Sequence, residues 1–263
     1  MSKLFKASAA DLAALLESAL NKLGYVPQSV AGHFIYAPGS LPVLLVAHLD
    51  TAHPSLPVEI FHDREKGVLW SPQGLGADDR AGVWAIHSVL SRGYRPHVLF
   101  CDLEESGGLG AREAVTQISR PAVDFILELD RRGADDYVMY GWRSPELEAF
   151  LEVHGFRQAA GSFSDISVLC PAWELPGANL SVGFYKEHTQ AEYLRLPELF
   201  RTVDRVCRML RELPGHVSYV EERFPADCWD DLYDDRCYDD MPPPVRLSRG
   251  AKGKKYKILK GEY

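Results

Sequence analysis

Long apolar runs are missing from this sequence. The longest, residues 41–47, has the length of a strand and falls far short of a membrane span, so no membrane partner is expected. A secretory apolar core is missing as well, because charged and polar residues interrupt Met1 to Leu23 at helical spacing. The five cysteines are odd in number and scattered, which implies no disulfide framework. Cys101, Cys170 and Cys207 stand among apolar neighbours and read as reduced core residues. A cytoplasmic location is the expectation. Basic charge is not in excess either: a net charge of −8 argues against general nucleic-acid binding. No internal repeat is visible.

What remains is an ordinary globular composition. The 263 residues are 46% hydrophobic and 25% charged, enough for one large α/β domain. Ser8 to Asp11 reads as a helix cap, followed by Leu12, Leu15, Leu16, Leu20 and Leu23 at helical spacing and a stop at Gly24. Strands are expected at 33–36, 41–48, 98–103, 125–129 and 179–185, with a short extended stretch at 138–140. Residues 58–62 and 68–70 read as a hairpin around 63–67. A helix is expected to open within the segment Gly74 to Gly82 and run to about Leu90, with others over 109–118, over 145–153 and over 197–213. Alternating strands and helices predict a single three-layer α/β/α domain with a largely parallel, mixed central sheet.

The polar residues sit at the ends of these strands. His48 and Asp50 close the run Leu41-Pro-Val-Leu-Leu-Val-Ala-His48-Leu-Asp50, and their i, i+2 spacing puts them on one face. Asp78-Asp79 opens a helix, Glu104-Glu105 precedes Gly107-Gly108, Asp130 ends a strand and His188 follows another. Taken singly, each has a plain explanation as a cap, a turn residue or a surface side chain. Taken together, they converge on the carboxyl edge of a parallel sheet, where such folds bind ligands. Two histidines and several carboxylates form a donor set suited to zinc or a similar divalent ion. Five ligands with one shared carboxylate can hold two ions, and a further free carboxylate can act as a base. Consecutive strand residues face opposite ways, so the backbone at Glu104-Glu105 must leave strand geometry, and Gly107-Gly108 is expected to permit that.

In order, the segments AHLDT at 47–51, GADDRAG at 76–82, LEESGGLGA at 103–111, ELD at 128–130 and EHTQAEY at 187–193 resemble the co-catalytic dizinc exopeptidases. That superfamily includes aminopeptidases, glutamate carboxypeptidases, tripeptidases and acylamino-acid deacylases, and the resemblance spans roughly residues 40–212. It implies that His48 and Asp130 bind one ion, Glu105 and His188 the other, and that Asp78 bridges them. It also implies Asp50 as the partner that orients His48, and Glu104 as the general base toward a water activated by two metal ions. Zinc is the implied metal, with Co2+ or Mn2+ as substitutes. A cis peptide bond after the bridging aspartate, Asp78–Asp79, is a further implication. Ser164 and Asp165, in Gly161-Ser-Phe-Ser164-Asp165, resemble a family segment that lines the substrate site.

Two features depart from the family pattern. Dimeric members carry a lid domain between the aspartate ligand and the late histidine, yet only 57 residues separate Asp130 from His188 here. A compact form without a lid is expected, although Glu192 after His188 is closer to the lid-containing branch. The implied activity is hydrolysis of peptide bonds, as an aminopeptidase first, on peptide or acyl-amino-acid substrates. A carboxypeptidase or N-acyl-amino-acid deacylase on the same scaffold is the alternative, and a non-catalytic metal-binding interaction module is an alternative of another class. Oligomeric state is left open.

The catalytic domain is expected over 1–213, with a charged extension over 214–263. Residues 221–240 hold nine Asp or Glu against two Arg, and residues 246–263 hold seven Lys or Arg against one Glu. Pro242-Pro-Pro244 stands between them, and such charge segregation reads as a solvated, partly flexible appendage.

Overall fold

A computed structural model describes residues 1–221 of the chain. The triproline, the basic block and the acidic block after Glu221 lie outside the described residues.

The amino-terminal third runs α1 (Ser2–Phe5), α2 (Ala9–Lys22), β1 (Gln28–Val30), β2 (Phe34–Ala37), β3 (Leu41–His48), β4 (Phe61–Asp63), β5 (Val68–Trp70) and α3 (Ala77–Ser91). Next come β6 (Pro96–Cys101), α4 (Leu109–Gln117), β7 (Phe125–Arg131), β8 (Asp136–Val138), β9 (Trp142–Arg143), α5 (Pro145–Val153), β10 (Arg157–Gln158) and α6 (Ile166–Trp173). The rest is β11 (Gly177–Ser181), β12 (Phe184–Tyr185), β13 (Tyr193–Arg195), α7 (Leu196–Met209) and β14 (Val220–Glu221).

The large sheet has the order β1-β2-β6-β3-β7-β11-β8-β10. Its centre, β6-β3-β7-β11, is parallel throughout, whereas β1-β2, β2-β6 and β11-β8 are antiparallel pairs. This is the expected mixed, largely parallel α/β sheet. The sequence of β3 explains its central place, because it is apolar on both faces. Val43, Leu45 and Ala47 join one core cluster with residues of α2, α3 and α7, while Leu44 and Val46 join another with residues of α4 and α6. A strand wetted on neither face must sit between two helical layers. The helix α3 lies on β3 and β7. Gly82 makes that approach possible, since a Cβ there would run into the Leu129 carbonyl.

Ser8 caps α2, its hydroxyl accepting from Asp11 N at 3.1 Å. Elsewhere several boundaries differ from expectation. The stretch expected as one strand over 179–185 is two: Gly183, at φ +90°, breaks it, and β11 stays in the large sheet while β12 enters a four-stranded sheet of order β12-β13-β5-β4. The first hairpin strand begins at Phe61 rather than at 58, and α7 ends at Met209 rather than 213. The helix α6 was not expected, because Pro171 interrupts its pattern. The folded body also extends past residue 213: β14 pairs with β9, and Tyr219 packs near Trp142 with ring centroids 6.4 Å apart. Among the described residues, nothing between Asp130 and His188 forms a separate lid domain, and no helix is long and apolar enough to cross a membrane.

Candidate active site

Three parallel strands deliver the site. His48 is the last residue of β3, Asp130 lies near the end of β7, and Glu104-Glu105 follow β6 by three residues. The backbone leaves strand geometry at Leu103, with φ +61°, rather than first at the glycines; Gly107 and Gly108 then close the turn with φ +85° and +68°. A left-handed non-glycine residue is uncommon, and here it turns both glutamates inward. His188 arrives from the opposite side, on the connection between β12 and β13, also with positive φ at +59°. The Asp78–Asp79 bond is cis, as the resemblance implied.

Asp78 stands in the middle with its two oxygens facing different ways. Oδ1 is 3.0 Å from His48 Nε2, and that nitrogen is 3.5 Å from Asp130 Oδ1. Oδ2 is 3.1 Å from His188 Nε2, which is 3.2 Å from Glu105 Oε2. Ligand atoms of His48, Asp78 and Glu105 all lie within 4.8 Å of one another, close enough to hold a metal ion. The structure thus brings together all five candidate ligands.

Asp50 does two things at once. Its carboxylate is 3.2 Å from His48 Nδ1, and it accepts from the backbone N–H groups of Glu104 and Glu105, each at 3.1 Å. With Nδ1 held by a carboxylate, the imidazole presents Nε2 to the cluster. Asp79 supports the same strand end, accepting from His48 N and Gly82 N.

The electrostatics show how strongly these groups are set against each other. Burial acts to lower the His48 pKa, but Asp130, Asp50 and Asp78 outweigh it and raise it well above its ordinary value. Asp78 is held low by His188 and His48 against the opposing effect of burial. Asp130 is pushed well up by burial and by Asp78. Glu104 is pushed up to about 9 by burial, with Asp130, Asp165 and Glu105 adding to it. His188 rises to about 11 through its bonds to Asp78 and Glu105. Carboxylates packed this closely repel one another, and added positive charge relieves them.

Ser164 and Asp165 do not line an open surface. They are 1% and 0% exposed, at the start of α6 beneath the cluster. The Ser164 hydroxyl donates to Glu128 and accepts from Asn179 Nδ2 at 3.2 Å. Burial pushes Asp165 up to about 7. Glu128, two residues before Asp130 and wholly buried, is likewise pushed well above the usual carboxylate range by burial and by Asp130.

Three residues received no role from the sequence. Glu192, 0% exposed, accepts from Leu75 N (3.1 Å), Gly76 N (2.6 Å) and Asp78 N (3.0 Å) and binds His53 Nε2 at 2.6 Å. It fixes the loop that carries Asp78. His53 packs against Gly74, where a Cβ would collide with its ring. Arg80, also buried, donates to the carbonyls of Leu49 (3.0 Å), Leu4 (2.7 Å) and Ala7 (2.8 Å). For Arg80 the available signal was a charged residue between Ala77 and Gly82 in GADDRAG; Glu192 and His53 stand in polar loop text that gives none.

No family model matches the sequence, and no curated protein matches it by sequence. Solved structures do match by shape. Aminopeptidase PepT from Bacillus cereus ATCC 10987 aligns over 80% of this chain and 96% of its own, at 14% identity and a TM-score of 0.64. A tripeptidase from Staphylococcus aureus subsp. aureus Mu50 aligns over 80% and 95%, at 14% identity and a TM-score of 0.66. The chain shares their fold. Glutaminyl cyclase from Porphyromonas gingivalis also aligns, over 76% and 88%, at 16% identity and a TM-score of 0.56. One fold therefore carries more than one chemistry, and the site rather than the fold decides function.

Proposed function

We propose that the chain is a metal-dependent hydrolase of peptide bonds, acting as an aminopeptidase with two divalent ions, zinc first. The observation that carries this reading is the two-sided Asp78 carboxylate, with His48 on one oxygen and His188 on the other. Two imidazoles and three carboxylates, one of them shared, suit a pair of zinc-like ions. The buried Asp130 Oδ1, which has no hydrogen-bond partner, fits the same donor set. His48 and Asp130 would hold one ion, Glu105 and His188 the other, and Asp78 both. When bound, the ions would polarise the scissile carbonyl and acidify water.

The proton work falls to Glu104. It stands beside Glu105 at the turn that Asp50 holds in place, takes a proton from water and passes it to the leaving amine nitrogen. Burial raises its pKa, and bound ions would lower it again, so the two effects oppose each other at this carboxyl. Asp50 keeps the His48 ring in one tautomer. The buried, free Cys101, Cys170 and Cys207 suit a cytoplasmic setting.

A panel of aminoacyl amides, peptides with a blocked amino end and N-acyl amino acids tests the reading, together with elemental analysis. Expected are two ions per chain, hydrolysis of the aminoacyl amides and loss of activity with a chelator. Asp78→Ala should lose both ions, and His188→Ala chiefly one. Hydrolysis of N-acyl amino acids alone would move the chain to the deacylases. Full metal loading with no hydrolysis of any substrate would make it a binding module.

A further inference from the structure

The four-stranded sheet carries a row of aromatic side chains for which the chemistry above has no use. Its register sets Tyr185 opposite Tyr193, Tyr193 opposite Trp70, and Trp70 opposite Phe61, one aromatic on each strand. The next row, Phe184, Leu194 and Leu69, is buried in the core. Side chains alternate along a strand, so the aromatic row occupies the outer face. Phe61 and Trp70 are each 40% exposed, a large apolar area to leave in water.

The row also marks the end of the sheet nearest the site. The chain leaves β12 at Tyr185 and reaches His188 three residues later, and it enters β13 at Tyr193 directly after Glu192. It leaves β5 at Trp70 into the loop that ends at Asp78, whose backbone Glu192 holds. Three of the four strands, β12, β13 and β5, thus join the row to the loops of the candidate active site.

The rings form two separate stacks, Phe61 with Trp70 at 4.7 Å and Tyr185 with Tyr193 at 5.1 Å between centroids. A groove of about 320 Å³ is lined by the inner member of each stack, Trp70 and Tyr193, with Val68, Gln190 and Ala191. Asp63 and Lys66 at its margin pair at 3.2 Å, and the Glu192 carboxylate that also lines it is wholly buried on His53 and on backbone N–H groups, so the rings of Trp70 and Tyr193 are the flat walls left for a ligand. Its size suits one side chain.

We propose that this groove receives an aromatic side chain of the substrate, the one immediately beyond the scissile bond. The proposal rests on the peptidase reading above. An exopeptidase encloses the terminal residue and leaves the remainder of the peptide to run outward, over the exposed rim that Trp70 and Tyr193 form. A ring placed between two aromatic walls gains stacking in addition to burial.

The test uses the full-length, zinc-loaded protein with leucyl-glycine amide and leucyl-phenylalanine amide. The parent should prefer the phenylalanine compound by about tenfold in kcat/KM, chiefly through KM. In Trp70→Ala that ratio should fall to within about twofold of one, and Trp70→Leu, which keeps apolar bulk without a flat ring, should fall between. An unchanged ratio in Trp70→Ala, or no preference in the parent, would overturn the proposal. If neither compound is hydrolysed, the peptidase reading fails by itself. Calorimetric titration with the same two compounds then judges the groove: tighter binding of the phenylalanine compound by the parent alone supports it, and equal binding overturns it. Loss of a dimer in Trp70→Ala by sedimentation would assign the face to self-association and also overturn the proposal.

Discussion

The large sheet has two edges that handle polarity in opposite ways. At the amino edge, where β3, β6, β7 and β11 begin, polar groups find partners. Tyr25 donates to the Pro96 carbonyl at 2.7 Å, Ser40 N to Arg95 O at 2.7 Å, and Asp124 N to Pro42 O at 2.8 Å. At the carboxyl edge, acids are packed against acids. Seven buried side-chain atoms lack a hydrogen-bond partner among the described residues, and five of them belong to Glu128, Asp130, Arg131 and Asp165. Folding alone favours the first arrangement. A chain that tolerates the second has had its residues set there by chemistry, with the surrounding packing holding them in place.

The largest expected break in that contrast is Glu104→Gln. It should keep fold and metal but lose about 10²–10⁴-fold in kcat, whereas Glu105→Gln should lose metal too. Parent-like turnover at unchanged metal content would remove Glu104 from the role of base. In the middle of the sheet, Leu45 is wholly buried, and Leu45→Ala should cost about 2–5 kcal/mol in chemical denaturation. Turnover per folded molecule should stay near the parent's, so its loss would mean that the core also tunes the site. Asp50→Asn should weaken metal affinity by about 10–100-fold, read by competition with a chelator, because it disturbs both His48 and the turn at Glu104-Glu105.

The smallest effect belongs to the amino edge. Burial pushes the Tyr25 phenol from 10.0 up to about 12. The fold holds the neutral form, so its contribution is complete below pH 10 and is lost as pH rises through about 12. Denaturation midpoints should therefore fall between pH 10 and 12, and Tyr25→Phe should flatten that slope. An unaltered slope would place the alkaline sensitivity elsewhere.

Much of the fold was legible because apolar strands and helical spacing carry it locally. The strand ending at His48 and the helix Pro145–Val153 lie where the pattern put them. The site was legible as an ordered set of motifs, since the ends of parallel strands meet at one edge. What local pattern cannot carry is long-range bonding. Glu192 is a polar residue in a loop until its carboxylate is seen on backbone groups more than a hundred residues earlier. Leu103 has nothing in its side chain to announce a left-handed turn. Ser164 and Asp165 were expected at the substrate site through the resemblance alone; their burial at the start of α6 was not legible, because Pro171 interrupts the pattern of that helix.

The strand order also bears on how the molecule emerges during synthesis. The middle strand β3 is made before its parallel neighbours, and β6, β7 and β11 join it outward in the order in which they are translated. The amino-terminal carbonyls of Leu4 and Ala7 must wait for Arg80 before they can dock. His48 and Asp78 must wait for His188, on a connection that closes only when β13 pairs with β5. A nascent chain still short of residue 188 therefore lacks one of its five candidate ligands, the only one that faces Asp78 Oδ2 together with Glu105. A chain assembled in this order completes its candidate donor set only after the four central strands of the large sheet have been made.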